Sequence, residues 1–80
     1  MLRARRRGLV RNACVAAGNS GDSALISFLA PLLEDADPIV RGHAAWALGQ
    51  IEGVAAGRAL DRARLAERDA AVLAEIEGAR

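Results

Sequence analysis

Residues 40–49 repeat the pattern of residues 9–18. Shifted back by 31 positions, Val40 falls on Leu9, Ala44 on Ala13, Ala45 on Cys14, Ala47 on Ala16 and Gly49 on Gly18. Shifted forward by 32, Asp37 falls on Asp69 and Val40 on Val72. A period of this length marks one supersecondary unit copied along a chain. Such units bury their apolar faces by stacking on their neighbours. The repeat therefore predicts an extended stack rather than a closed globule.

The most complete copy runs from Ala36 to Ile51. Asp37 can cap a helix, because its carboxylate accepts from the free N–H groups of the first turn. Pro38 follows where a missing N–H costs nothing and φ is already set. Val40, Ala44, Ala47 and Ile51 recur at helical spacing and define one face. The alanines let a second helix approach closely. With 80 residues, there is room for one small domain, which buries only about 60% of its unfolded surface. Apolar residues make up 52% of the chain and aromatics 2%, so any core consists of thin Ala, Leu, Val and Ile layers. This composition favours helix throughout.

The expected architecture is all-α: an α-solenoid of stacked helical hairpins with about five helices. Residues 1–7 read as a basic lead-in and residues 8–21 as half a repeat. That half repeat is a helix over 8–17 with Leu9, Ala13 and Ala16 inward, stopped by Gly18-Asn19-Ser20-Gly21. Residues 22–52 form the complete repeat. Its first helix is capped by Asp22 or Ser23 and carries a broad buried face of Leu25, Ile26, Phe28, Leu29, Leu32 and Leu33. Pro31 should kink or shorten that helix. Residues 53–80 form a degenerate terminal repeat. It has one helix over 54–66 with Ala59, Leu60, Ala63 and Leu65 inward, and another over 70–77 opened by Asp69. The first helix lacks an upstream partner, which predicts marginal stability.

Net charge is +1, so bulk charge gives no reason to expect nucleic acid. The distribution is less even. Residues 1–21 carry Arg3, Arg5, Arg6, Arg7 and Arg11 with no acid, whereas residues 22–57 carry five acids against Arg41. The single cysteine, Cys14, rules out an intramolecular disulfide and any cysteine-only metal site. The start is basic, but the apolar run behind it is broken by Arg11 and Asn12, which argues against a signal peptide. No run approaches the length of a membrane span. A cytoplasmic protein is the expectation.

Asp37-Pro38-Ile39-Val40-Arg41, followed by Ala44-Ala45-Trp46-Ala47-Leu48-Gly49, resembles the short HEAT-like repeat of phycobilisome lyases. Its period is shorter than the usual HEAT range of roughly 40–47 residues. A narrower resemblance covers most of the chain. Arg11-Asn12-Ala13, Gly18-Asn19-Ser20-Gly21-Asp22 and the run from Arg41 to Gly49 are similar to the C-terminal HEAT-like segment of epoxyqueuosine reductases. The tail from Ala63-Arg64-Leu65-Ala66 through Asp69, Val72 and Glu75-Ile76 is similar to the end of that enzyme's chain. The resemblance implies a larger parent oxidoreductase that acts in queuosine tRNA processing. That parent carries cobalamin and two [4Fe–4S] clusters upstream, and its repeats help hold the tRNA anticodon stem-loop. It also implies that this chain holds no cofactor, is not catalytic by itself, and has an upstream domain of the same polypeptide as a partner.

Candidate contact residues follow from the register. Asn12, Val15 and Asn19 match His43, Trp46 and Gln50 under the 31-residue shift, and each set forms one stripe beside the core face. His43 and Trp46 offer flat faces for stacking on bases, while Asn12, Asn19 and Gln50 offer hydrogen bonds. The plain alternative is that Trp46 fills a gap between alanines and the polar residues are merely solvated. Arg3, Arg5, Arg6, Arg7, Arg11 and Arg41 are candidates for phosphate contact, since Arg pairs phosphate bidentately. The alternatives are a solvated end for the first group and an ion pair within or between repeats for Arg41. Arg58, Arg62 and Arg68 interleave with Asp61, Glu67 and Asp69 as an ordinary charged face. Nothing sets a base beside a nucleophile, and no phosphate loop or metal-ligand spacing occurs. The reading is a tRNA-contacting HEAT-like module of an epoxyqueuosine reductase. A protein-binding scaffold with no RNA role is the alternative, and a lyase-type repeat is a third.

Overall fold

The structure, a computed structural model, describes residues 2–80. Helix α1 spans Leu2–Ser20. A short helix α2, Ile26–Leu29, sits between 3₁₀ turns at Ser23–Leu25 and Ala30–Glu34. Helices α3 (Pro38–Ile51), α4 (Gly53–Ala66) and α5 (Ala70–Ala79) complete the chain. No strand occurs among the described residues, and no helix there is long and apolar enough to cross a membrane. The fold is thus the expected all-α stack. α1, α3 and α5 lie side by side as an inner layer, with the α2 segment and α4 behind them as an outer layer.

Local chemistry sets the helix starts. Asp22, Asp37 and Asp69 are extended residues whose carboxylates accept from the N–H groups of Ala24, Ile39 and Ala71. Each satisfies a first-turn donor that the helix leaves free. Pro31 falls in the first turn of a 3₁₀ segment, where it removes no α-helical bond. The outer helix of this hairpin is correspondingly broken into short pieces, as the proline requires. Gly21, at φ +65°, supplies the left-handed residue after α1.

α1 departs from the expectation. It is helical from Leu2, so the arginine-rich stretch is part of the helix rather than a lead-in. Arg is a good helix former, and Arg6 and Arg7 are tethered to the turn before α3. The inward face also differs. Cys14, Ala17 and Gly18 are buried, whereas Leu9, Ala13 and Ala16 are exposed. The reason is positional. α3 is flanked by α1 and α5 and buries two faces, while α1 has one inner-layer neighbour, α3, and buries one face. Phe28 and Leu65 are likewise exposed, Leu65 at 90% because it lies on the side of α4 opposite Leu60.

The core is one contiguous cluster centred on α3. Ala44, Ala45, Ala47 and Leu48 lie in it together with Cys14, Leu29, Leu60 and Ile76, and Val40 is wholly buried on the same helix. Small residues set the inner-layer spacing. A Cβ built on Gly18 would lie 3.1 Å from Ala47 Cα, and one on Gly49 would lie 2.9 Å from Ala79 Cα. These two contacts are the same contact, one repeat apart.

Candidate nucleic-acid interface

The turns between repeats use much of the arginine. Arg6 binds Asp35 through two hydrogen bonds, Nη2 to Oδ1 at 2.6 Å and Nη1 to Oδ2 at 3.3 Å. Arg7 donates from Nε and Nη2 to Asp37 at 2.7 and 3.1 Å. Arg41 does the same one repeat later, donating from Nε and Nη2 to Glu67 at 2.8 and 3.0 Å. Its Nη1 also reaches the carbonyl of Asp35 at 2.8 Å. Hydrogen bonds from these arginines hold Asp35, Asp37 and Glu67 below the usual carboxylate range. The same bonds raise the three guanidinium groups further above their ordinary value. Each acid also organises its own turn: Asp35 accepts from the Asp37 N–H at 2.9 Å, and Glu67 from the Asp69 N–H at 3.0 Å.

Three of the six arginine candidates for phosphate contact, Arg6, Arg7 and Arg41, are therefore committed to carboxylates and tie one repeat to the next. Glu67 belongs to this clamp rather than to an ordinary charged face, and its side chain is only 5% exposed. The sequence held the signal for it. Glu67 lies 32 residues after Asp35, the same shift that carries Asp37 onto Asp69.

Arg3, Arg5 and Arg11 remain exposed on α1, with no carboxylate partner among the described residues. Arg11 donates to Asn12 Oδ1 at 3.3 Å. Asn12, Asn19 and Gln50 are exposed, Val15 is 39% exposed, and His43 and Trp46 are half-buried. Trp46 packs half-buried at the core margin and lies over Gly18, so the ring bridges α1 and α3. His43 lines a shallow groove between α3 and α5 together with Asp69 and Glu75. The stripe thus runs as one row, the inner-layer ridge, from α1 across α3 to the groove beside α5. It is basic and amide-rich at α1 and acidic at α5, where Glu75 stands in the register of Asn12 and His43.

The outer layer carries a second concavity. The segment around Ala30–Glu34 and the end of α4 enclose a groove of about 670 Å³. Leu33, Ala59, Ala63 and Ala66 contribute apolar lining, and Glu34, Arg62 and Arg68 are its exposed charges. Cys14 is buried, which pushes its thiol pKa up, and no set of three His, Cys, Asp or Glu among the described residues could hold a metal ion.

Two inner-layer contacts one repeat apart, with the same capped turn before each helix, are the geometry of a repeat protein. The pattern of HEAT repeats matches residues 2–79. The chain belongs to the HEAT-repeat family. It is also similar to epoxyqueuosine reductases from Bacillus anthracis and Bacillus cereus, each 38% identical over 72 residues. Those matches cover 89% of this chain and 19% of each relative, so this HEAT-repeat chain spans about a fifth of their length. No solved structure matches it.

Proposed function

We propose that this HEAT-repeat region contacts tRNA in the manner of an epoxyqueuosine reductase module. It holds the anticodon stem-loop against the inner-layer ridge and supplies no catalytic group. The observation that carries the reading is the partition of the arginines. Arg5 and Arg11 stay exposed without a carboxylate partner, Arg11 against Asn12, while the arginines of the clamps are neutralised by acids. Arg without a carboxylate partner on this surface suits phosphate, and exposed amides with a half-buried Trp46 suit unstacked bases. The similarity to two epoxyqueuosine reductases supports RNA as the partner and a longer polypeptide as the working context.

The test is binding of a tRNA anticodon stem-loop, titrated at several salt concentrations. Affinity should fall steeply with salt, and Arg11→Ala should reduce the slope of log K against log salt by about one phosphate contact. Arg6 and Arg7 are unsuitable probes, because removing them opens a clamp. Salt-independent or absent binding, with Arg11→Ala silent, would reject the RNA reading. The outer groove favours a second reading, a peptide or protein partner. Retention of a partner by the Arg11→Ala chain and its loss on Ala63→Arg would select that reading.

A further inference from the structure

The outer-layer groove is built differently from the ridge. Its floor is Leu33, Ala59 and Ala63, all at least partly buried, and Ala30 and Ala66 widen it. Small side chains keep that floor low and leave a space of about 670 Å³ above it. Asp35, Arg41 and Glu67 also line the groove. Arg41 and Glu67 hold each other at 2.8 and 3.0 Å, and Asp35 is held by Arg6 at 2.6 Å, so these groups need nothing from an occupant. The rim is different. Arg62 on α4 and Arg68 just after it stand on one side, and Glu34 on the other. All three are exposed and have no charged partner among the described residues. We propose that this groove binds an acidic peptide segment, with a bulky apolar side chain over the alanines and carboxylates at Arg62 and Arg68.

The chemistry of the lining selects that occupant. An alanine floor offers apolar area but no large side chain of its own, so the occupant supplies the Leu, Met or aromatic residue that fills it. Arg62 and Arg68 outnumber Glu34 on the rim, which favours an acidic segment and repels a basic one. Nucleic acid suits the groove poorly, because a phosphate backbone gains nothing from the apolar floor and meets Glu34 on the far wall. A small molecule suits it poorly as well. Sites for small molecules enclose most of the ligand's surface, whereas Pro31, Glu34, Arg62, Ala66 and Arg68 stand exposed along this rim. A peptide gains the same contact area by running along the groove. Such a segment gives the protein-partner reading of this groove, on which the proposal rests, a definite chemistry. It leaves the ridge of the inner layer free for RNA.

The test presents the 80-residue chain with a phage-displayed library of random peptides. Selected sequences should combine several Asp or Glu with at least one Leu, Met, Phe or Trp. The strongest is then synthesised and titrated by fluorescence anisotropy. Arg62→Glu and Arg68→Glu should each weaken it about tenfold. Ala66→Trp, which fills the groove from an exposed position, should weaken it at least as much. Arg58→Glu makes the same charge change on α4 at an exposed position outside the groove, and should alter affinity less than about twofold. Excess anticodon stem-loop should leave the peptide bound. Selection of no peptide, or of basic peptides, would overturn the proposal. So would an acidic peptide that responds to Arg58→Glu as strongly as to Arg62→Glu, since diffuse charge would then hold it. A peptide that ignores Ala66→Trp, or that the stem-loop displaces, overturns it too. Peptide binding with these responses and no stem-loop binding at all supports the groove and rejects the ridge reading alone.

Discussion

The glycines of this chain do two different jobs, and single substitutions separate them. Gly49 lies under Ala79, and a Cβ there would fall 2.7 Å from the Ala79 Cβ and 2.9 Å from its Cα. Backbone cannot yield as a flexible side chain can, so Gly49→Ala should cost about 1–3 kcal/mol by pushing α5 away. Gly42, on the same helix, has nothing within 4 Å of its virtual Cβ. Gly42→Ala should instead add about 0.5–1 kcal/mol, the helix-propensity gain alone. Urea midpoints of the two variants should move in opposite directions. Glu52 presents the reverse situation. It is a non-glycine residue at φ 65° and ψ −172°, a region that glycine occupies freely and other residues at a cost. It is exposed at the joint between α3 and α4. Glu52→Gly should therefore stabilise the chain by about 1 kcal/mol, an outcome opposite to the usual effect of added glycine.

Between elements, the acid-x-Asp turn is the recurring device: Asp35 with Asp37 before α3, and Glu67 with Asp69 before α5. The carboxylates held by arginine have folded pKa values below their unfolded ones. Such groups stabilise the fold fully above the unfolded value, about pH 4, and the contribution disappears as pH falls through the folded value. Stability should thus be flat from neutral pH down to about pH 5 as far as these groups decide it, then fall on further acidification. Glu67→Gln should lower the neutral plateau and flatten the acid limb. Arg41→Met should cost about 1–2 kcal/mol, since it leaves the nearly buried Glu67 carboxylate without its main partner. Denaturation profiles across pH would check both variants. These turns also show how far sequence reading reaches. Asp22, Asp37 and Asp69 were legible as caps because a cap needs only its own first turn. Glu67 as the partner of Arg41 required the 32-residue shift to be applied to Asp35 as well as Asp37. The face of α1 was not legible at all from its own residues. Leu9, Ala13 and Ala16 have the right spacing to be core, but spacing names a face without saying whether a neighbour covers it.

Across the whole molecule, the ridge has a polarity that composition conceals, because net charge is only +1. The candidate residues on it were legible as a stripe. Which arginines were available was not, since that depends on carboxylates about 30 residues away in sequence. At one register position the ridge reads Asn12 on α1, His43 on α3 and Glu75 on α5. Glu75 is exposed and shares its groove with His43 and Asp69, so this end of the ridge repels phosphate. Under the proposed RNA reading, a strand lying along the ridge would have a preferred end: it would be held at α1, reach His43 and Trp46, and turn away before α5. Glu75→Arg removes a repulsion and adds a cation at the same place. It touches no clamp and no buried group, so the fold should be unaffected. RNA affinity at low salt should rise, and the slope of log K against log salt should steepen by about one contact. Arg11→Ala, at the other end, should shift both quantities in the opposite direction, and the double variant should return close to the parent. If Glu75→Arg leaves affinity and slope unchanged while Arg11→Ala weakens both, the strand does not run along the ridge, and its path leaves the inner layer at α1.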